Sequence, residues 1–285
     1  MEASVMGYLG PMGTHSEAAA RWLSAQLART GGGERELRPF ADIDAVLHAV
    51  EAGEVASGFV PVENSLEGAI HVTLDTLARS DGLAVAREVI WPVHNELMAR
   101  CSAREVRRIY SHAQPISQCR AYLTEHFPEA EIVEVASTAR AAKIVAAAPP
   151  ADGCAAICSS RAGELYGLTP LAHEIQDSMA NCTRFFEVVP RTAPPVQPQE
   201  KVLIICQLDG SRAGSLVSVL QEFAVRGINM TRIESRPART RLGDYIFFFD
   251  LETAAGRETI EAALAAVRAK CSWLKDLGAF PVLQA

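Results

Sequence analysis

No run of 18 or more apolar residues occurs in the chain, so no segment reads as a membrane-spanning helix. Met1-Glu2-Ala3-Ser4 carries no basic stretch leading into an apolar one, so no secretion signal is visible and a cytoplasmic protein is expected. Positive charge is in short supply: 27 Lys and Arg against 34 Asp and Glu leave a net charge of −7. That balance argues against nucleic acid or an anionic membrane as partner, because both select clustered cations, but it leaves room for a small anion in a local pocket. The seven cysteines are odd in number and include no C-x-x-C. Cys154 and Cys158 stand four apart, with no His or second cysteine pair at zinc spacing. The cysteines read as buried, reduced thiols, and no metal is expected. His15, His48, His71, His94, His126 and His173 show no ligand or triad spacing and read as surface or loop residues.

What is present suits an enzyme-sized globular protein. At 285 residues, 49% hydrophobic and 21% charged, the chain has enough apolar material for about two domains. A strand, a polar turn and a helix then recur. Residues 5–9 read as a buried strand, and Gly10 to Ser16 as a turn into a helix from about 16 to 29, capped by Thr14 or Ser16. The turn matches neither a Walker A loop nor G-x-G-x-x-G, but it opens onto a helix N-terminus of the kind that holds anions. Strands are expected at 37–40, 56–60, 83–90, 96–99, 108–110, 131–135 and 154–158. Helices are expected at 42–51, 73–79, from 115, from 138 to about 148, and ending near 166. Pro115 fits a first helical position, which places Gln118 in the first turn.

Such alternation predicts a largely parallel α/β sheet in two lobes, with a ligand cleft at the carboxyl ends of the strands, as in small-anion binding proteins. Those ends carry Thr14 and Ser16, Asn64 and Ser65, Ser111 and Gln114, Ser137 and Thr138, Ser159 and Ser160. These are neutral donors, suited to a small polycarboxylate.

Five ordered motifs then meet: G-Y-L-G-P-x-G-T-x-S from Gly7 to Ser16, P-V-E-N-S-x-E-G from Pro61 to Gly68, S-H-x-Q-x-x-x-Q-C from Ser111 to Cys119, S-T-A-x-A-A from Ser137 to Ala142, and N-x-T-R-F from Asn181 to Phe185. Together they resemble prephenate dehydratases. The resemblance implies conversion of prephenate to phenylpyruvate, water and carbon dioxide, a reaction driven by aromatisation that calls for no redox cofactor and no metal. It implies a catalytic group of Thr183, Glu63, Ser111 and Gln118, with Thr183 donating to the departing hydroxyl. Substrate contacts are implied for Thr14, Asn64, Ser65, His112, Gln114, Ser137, Thr138 and Arg184. Phe185 and Phe186 read as core.

Residues 190–200 contain four prolines and read as a semi-extended linker, dividing a catalytic domain at 1–189 from a second domain at 201–285. In the second domain, strands at 202–208, 228–236, 245–251 and 274–280 alternate with two helical stripes, giving a ferredoxin-like βαββαβ sandwich. This tail resembles the ACT domain attached to the same family, which implies phenylalanine binding and feedback control. The implied effector residues are Gly214, Ser215, Leu216, Val217, Asn229, Glu234, Ser235, Arg236 and Pro237, although Ser215 and Ala213 stand where the family commonly has Ala and Pro. Such modules tend to pair, so a homodimer or homotetramer is expected. No chorismate mutase bundle precedes Met1, which reads as a monofunctional chain. Three rivals share these features: an arogenate dehydratase, a decarboxylase that leaves the ring non-aromatic, and a non-catalytic anion-binding protein.

Overall fold

The strand that organises the molecule carries the N-x-T-R-F motif and is not among the strands expected from the sequence. Cys182–Pro190 runs through the middle of a seven-stranded sheet, with its residues 185–188 fully buried. Phe-Phe-Glu-Val-Val is β-branched and aromatic enough to pack on both faces of a sheet, and the neighbours on each side supply the ladder.

The computed structural model describes residues 4–240 and 243–285, so the first three residues used for the secretion-signal reading lie outside it. The first lobe contains β1 (Val5–Leu9), α1 (His15–Arg29), β2 (Glu36–Phe40), α2 (Ile43–Glu51), β3 (Ser57–Asn64), β4 (Gly68–Ala69), α3 (His71–Arg79) and β5 (Leu83–Pro92). The second holds β6 (Glu96–Ala99), β7 (Arg108–Ser111), α4 (Ala113–Gln118), α5 (Arg120–His126), β8 (Glu131–Glu134), α6 (Thr138–Ala147), β9 (Cys154–Cys158), α7 (Ser160–Tyr166) and β10 (Thr169–Ala172). The chain then returns to the first lobe as β11 (Cys182–Pro190). The C-terminal module is β12 (Lys201–Gln207), α8 (Ser215–Ala224), β13 (Met230–Pro237), β14 (Tyr245–Glu252), α9 (Arg257–Arg268) and β15 (Trp273–Phe280), followed by β16 (Val282–Gln284).

The first sheet has the order β16-β5-β11-β3-β1-β2, with β4 on β3; the second has β10-β6-β9-β7-β8. Both are mixed rather than largely parallel. β11 is antiparallel to β3 and to β5, and β6 is antiparallel to β9 and to β10. The reason is topological: β11 and β6 each enter their sheet directly from the other lobe, without the crossover helix that a parallel neighbour requires. The two crossing segments are tied together. Val93 N donates to Asn181 O at 2.9 Å, and Ile175 N to Asn95 O at 2.9 Å.

The C-terminal sheet has the order β13-β14-β12-β15, the ferredoxin-like arrangement. Its two faces have different partners. Val202, Ile204 and Cys206 of β12 pack under α8 and α9, whereas Leu203 and Ile205, with Phe248, Leu277 and Phe280, join a core that includes Val60, Val62, Leu74 and Phe186 of the first lobe. Finally, β16 pairs in parallel with β5, so the last strand of the chain forms an edge of the first sheet.

Candidate active site

Period two along β11 sends consecutive side chains to opposite faces. Thr183 and Phe185 face one way, where Phe185 stacks on Phe59 with centroids 4.8 Å apart. Arg184 and Phe186 face the other. Thr183 lies opposite Asn64 on β3 and Trp91 on β5, at the mouth of a cleft of about 300 Å³ between the lobes. Thr14, His15 and Ser16 line it from α1; Asn64 and Thr183 from the sheet; Val93, Asn95 and Asn181 from the crossing segments; and His112, Gln114, Gln118, Ser137 and Thr138 from the second lobe.

A chain of amides supports Thr183. Asn64 Oδ1 accepts from the backbone N–H groups of Leu66 and Glu67 at 3.0 and 3.1 Å, which fixes the orientation of its amide. Its Nδ2 then faces Asn181 Oδ1 at 2.9 Å and Thr183 Oγ1 at 3.0 Å. Asn181 Nδ2 in turn donates to Gln118 Oε1 at 3.0 Å. Because Thr183 Oγ1 accepts from Asn64, the hydroxyl proton is left to donate into the cleft, and an accepted hydrogen bond makes it a better donor. Ser65 does not line the cleft. Its hydroxyl donates to Ala180 O at 2.8 Å and accepts from Cys182 N at 3.0 Å, clamping the loop that leads into Thr183.

The electrostatics come from neutral groups. Among the described residues, the cleft is lined by no Asp, Glu, Lys or Arg. Two helices begin at its wall: α1, capped by Thr14 accepting from Glu17 N, and α6, capped by Ser137 accepting from Arg140 N. Their first-turn N–H groups and dipoles favour an anion there. The lobes meet beside α1. Ser159 Oγ donates to Gly13 O at 2.9 Å, and Arg161 Nε lies 3.6 Å from Glu17 Oε1. Gly13, at φ +86°, is needed at this contact, since a Cβ would sit 3.3 Å from that of Ala162 and 3.4 Å from that of Ala139.

Three further expected site residues stand elsewhere. Ser111 is fully buried and its hydroxyl donates to Ile157 O at 2.8 Å, so it ties β7 to β9 rather than facing the cleft. Arg184 points away from Thr183 and contacts Glu63, Glu88 and Asp250 at 2.7, 2.6 and 2.6 Å. Burial opposes its charge, but Asp250 and Glu88 hold its pKa well above the ordinary arginine value. Glu63 is engaged with Arg184 and, at 3.4 Å, with Arg232, on the face opposite Thr183. Gln118 reaches the cleft from the last residue of α4 rather than from a first turn.

Sequence reasoning also missed His15, Asn95 and Asn181 as lining residues. His15 is no surface histidine: burial, with His94 nearby, pushes its pKa down to about 4. A signal existed for Asn95, which with His94 and Glu96 interrupts an otherwise apolar Trp91-Pro92-Val93…Leu97-Met98 run. The thiols are all unpaired; Cys119, Cys154, Cys158 and Cys206 are buried, while Cys101, Cys182 and Cys271 are partly exposed.

A second pocket, of about 390 Å³, lies at the start of α8. Gly214, Ser215, Leu216 and Val217 line it with Arg212, Tyr245 and Phe247. The other expected effector residues are not in its lining. Arg236 grips Asp75 of α3 with two bonds of 3.0 and 3.1 Å, and Glu234 lies 3.7 Å from both His71 and Arg232. Ser235 and Pro237 are exposed along the edge strand β13. Asn229 is exposed, and its carbonyl accepts from Glu252 N at 2.9 Å.

Fold and site together define a two-lobed α/β enzyme with a neutral, donor-lined cleft for a small carboxylate and a ferredoxin-like regulatory tail. The prephenate dehydratase family model matches residues 6–192 and the ACT domain model residues 202–269. The chain belongs to the prephenate dehydratase family. A prephenate dehydratase of Amycolatopsis methanolica is 37% identical over 281 residues, spanning 97% of this chain and 88% of the relative. The structure of a prephenate dehydratase of Arthrobacter aurescens in complex with L-Phe superposes with a TM-score of 0.85 at 32% identity, covering 97% of this chain and 89% of that one. GqqA, described as a novel type of quorum-quenching acylase, superposes at 0.83 with 27% identity, covering 98% of each chain. No described helix is long and apolar enough to cross a membrane.

Proposed function

We propose that the cleft converts prephenate to phenylpyruvate, with Thr183 as the group that acts on the departing hydroxyl. The observation that carries this reading is the Asn64–Thr183 hydrogen bond, in which the threonine oxygen is the acceptor and its proton is free to donate. As the ring C–O bond breaks, Thr183 donates to the leaving oxygen. The bond to the ring carboxylate supplies the electron pair that completes the aromatic ring. Carbon dioxide and water leave, and the one proton consumed is supplied through the cleft from solvent. Thr14, Ser137 and Thr138, at the two helix starts, supply neutral donors for a substrate carboxylate, with His112 and Gln114 beside them. A wall of neutral donors suits the chemistry, because a fixed cation on the departing carboxylate would stabilise the ground state that must be lost. The lining favours prephenate over arogenate, whose ammonium would find no carboxylate there.

Phenylalanine is the proposed effector, taken up at the pocket formed by Gly214–Val217 and feeding back on the cleft. Val217 and Tyr245 on that pocket are 56% and 44% exposed, and β13 presents a free sheet edge, which supports pairing with a second copy into a homodimer or homotetramer. The unpaired thiols support a reducing, cytoplasmic setting. The test is direct: purified protein is given prephenate, arogenate or an acylated amide, and products are resolved by chromatography. Phenylpyruvate from prephenate, suppressed by added phenylalanine, is expected. Phenylalanine from arogenate alone, or release of a fatty acid alone, would replace this reading.

A further inference from the structure

Three buried N–H groups lining the cleft have no acceptor among the described residues. Gln118 Nε2 is the first, and the bond from Asn181 to Gln118 Oε1 fixes which end of that amide is left free. His15 Nε2 is the second. The Trp91 indole only donates and sits 3.5 Å from His15 Nδ1, so Nδ1 is the acceptor and the neutral ring carries its proton on Nε2. Asn95 is the third: it is 0% exposed, and neither Nδ2 nor Oδ1 has a partner. Its backbone is held at both ends, by Gln176 Oε1 at 2.9 Å and by Ile175 N at 2.9 Å, so the free amide does not belong to a loose loop. Buried polar groups are rarely left unpaired unless a ligand or water completes them.

We propose that His15 and Asn95, together with Gln118, form the subsite for the 2-oxo-acid end of the substrate, the part retained in the product. The proposal rests on the dehydratase reading above. A 2-oxo acid presents three oxygens, all acceptors and none a donor, which matches three N–H groups. A 2-amino acid brings an ammonium instead, and the two orientationally fixed donors oppose it. Asn95, with donor and acceptor both free, turns its Nδ2 to the oxo acid. Because the retained end is held alike before and after carbon dioxide leaves, these residues govern KM more than kcat.

The experiment uses the full chain and the variants His15→Phe, His15→Gln, Asn95→Ala and Asn95→Asp. Steady-state kinetics with prephenate and arogenate are paired with calorimetric titration of phenylpyruvate, and thermal melts check folding. His15→Phe and Asn95→Ala should each raise KM and the phenylpyruvate Kd by about tenfold, with kcat within about threefold of wild type. His15→Gln keeps an N–H and should recover most of the loss. Asn95→Asp, nearly isosteric, should shift the kcat/KM preference towards arogenate by about a hundredfold. Unchanged KM and Kd in folded variants would overturn the proposal, as would a fall in kcat alone. If wild type does not turn over prephenate, the dehydratase reading fails separately, and the phenylpyruvate titration still tests the subsite.

Discussion

Arg184 Nη2 lies 2.6 Å from Asp250 Oδ2, so the residue next to Thr183 is bonded to the C-terminal module. The pair belongs to a larger cluster in which Glu63, Glu88 and Asp250 are met by Arg184, Lys201 and Arg232. Glu88 and Asp250 are fully buried, so removing Arg184 takes the cation from Asp250 and leaves Glu88 to Lys201 alone. Arg184→Met is therefore expected to destabilise the protein by about 3–5 kcal/mol, the usual cost of breaking a buried pair from one side. Urea unfolding monitored by circular dichroism measures it. An unchanged urea midpoint with a raised KM would instead return Arg184 to the substrate.

The same cluster sets an acid limit. Burial opposes ionisation of Glu88, but Arg184 and Lys201 outweigh it and lower its pKa below the ordinary 4.5. A depressed carboxylate stabilises the fold above its unfolded pKa, and that stability disappears as pH falls through the folded value. Melting temperature should therefore drop as pH is lowered from 4.5. Glu88→Gln should melt lower than wild type at pH 7 and show a flatter profile below 4.5. Parallel profiles would show that Glu88 is not the titrating group.

A clean cut at the proline-rich segment is not expected. A linker at 190–200 between two independent domains would let truncation near Pro194 leave an active enzyme insensitive to phenylalanine. The structure places Leu203, Ile205, Phe248, Leu277 and Phe280 in one core with the first lobe, and burial of each such side chain is worth about 1.5–3 kcal/mol. Lys275 also reaches across, donating to the carbonyls of Leu77 and Ala78 at 3.2 and 3.0 Å at the end of α3. Truncation at 194 should therefore yield aggregated or partly unfolded protein, measured by size-exclusion chromatography and near-UV dichroism. A monodisperse, active fragment would refute the shared core.

The lobes, the C-terminal sandwich and most polar turns were legible, because strand, cap and helix signals are local. Thr14, Asn64, Gln118, Ser137 and Thr138 do converge on one cleft with Thr183. What was lost depended on facing. Once β11 is known to be a strand, Arg184 must oppose Thr183, but a short N-x-T-R-F run does not announce a strand that enters from another lobe. Ser111 was indistinguishable from Ser137 until its depth was known. A clue to the shared core was present: Val202-Leu203-Ile204-Ile205-Cys206 is apolar at every position, the mark of a strand covered on both faces.

Effector control should depend on the pocket at α8. Tyr245 lines it and is 44% exposed, so its ring can close over a bound side chain while remaining marginal to the module's core. Loss of an aromatic contact worth about 1.4 kcal/mol corresponds to about tenfold in affinity. Tyr245→Ala should therefore raise the phenylalanine concentration for half-inhibition by about tenfold in a prephenate turnover assay. An unaltered inhibition curve would move the effector away from this pocket.

Thr183→Ala separates binding from chemistry. The hydroxyl accepts from Asn64 and donates only to a group placed in the cleft, so its benefit is greatest as the substrate's oxygen gains negative charge. A group that acts in the transition state lowers kcat and kcat/KM together when removed. Thr183→Ala should lower kcat by about 10²–10⁴ with KM little changed. Thr183→Ser keeps the donor but lacks the methyl that fixes χ1, and should retain more of the rate than alanine does. Asn64→Ala removes the bond that orients the threonine proton, and it should reproduce part of the kcat loss in a Thr183 background but little of it once Thr183 is already Ala. Additive losses in that double variant, measured by single-turnover product formation, would show that Asn64 and Thr183 do not work as a pair.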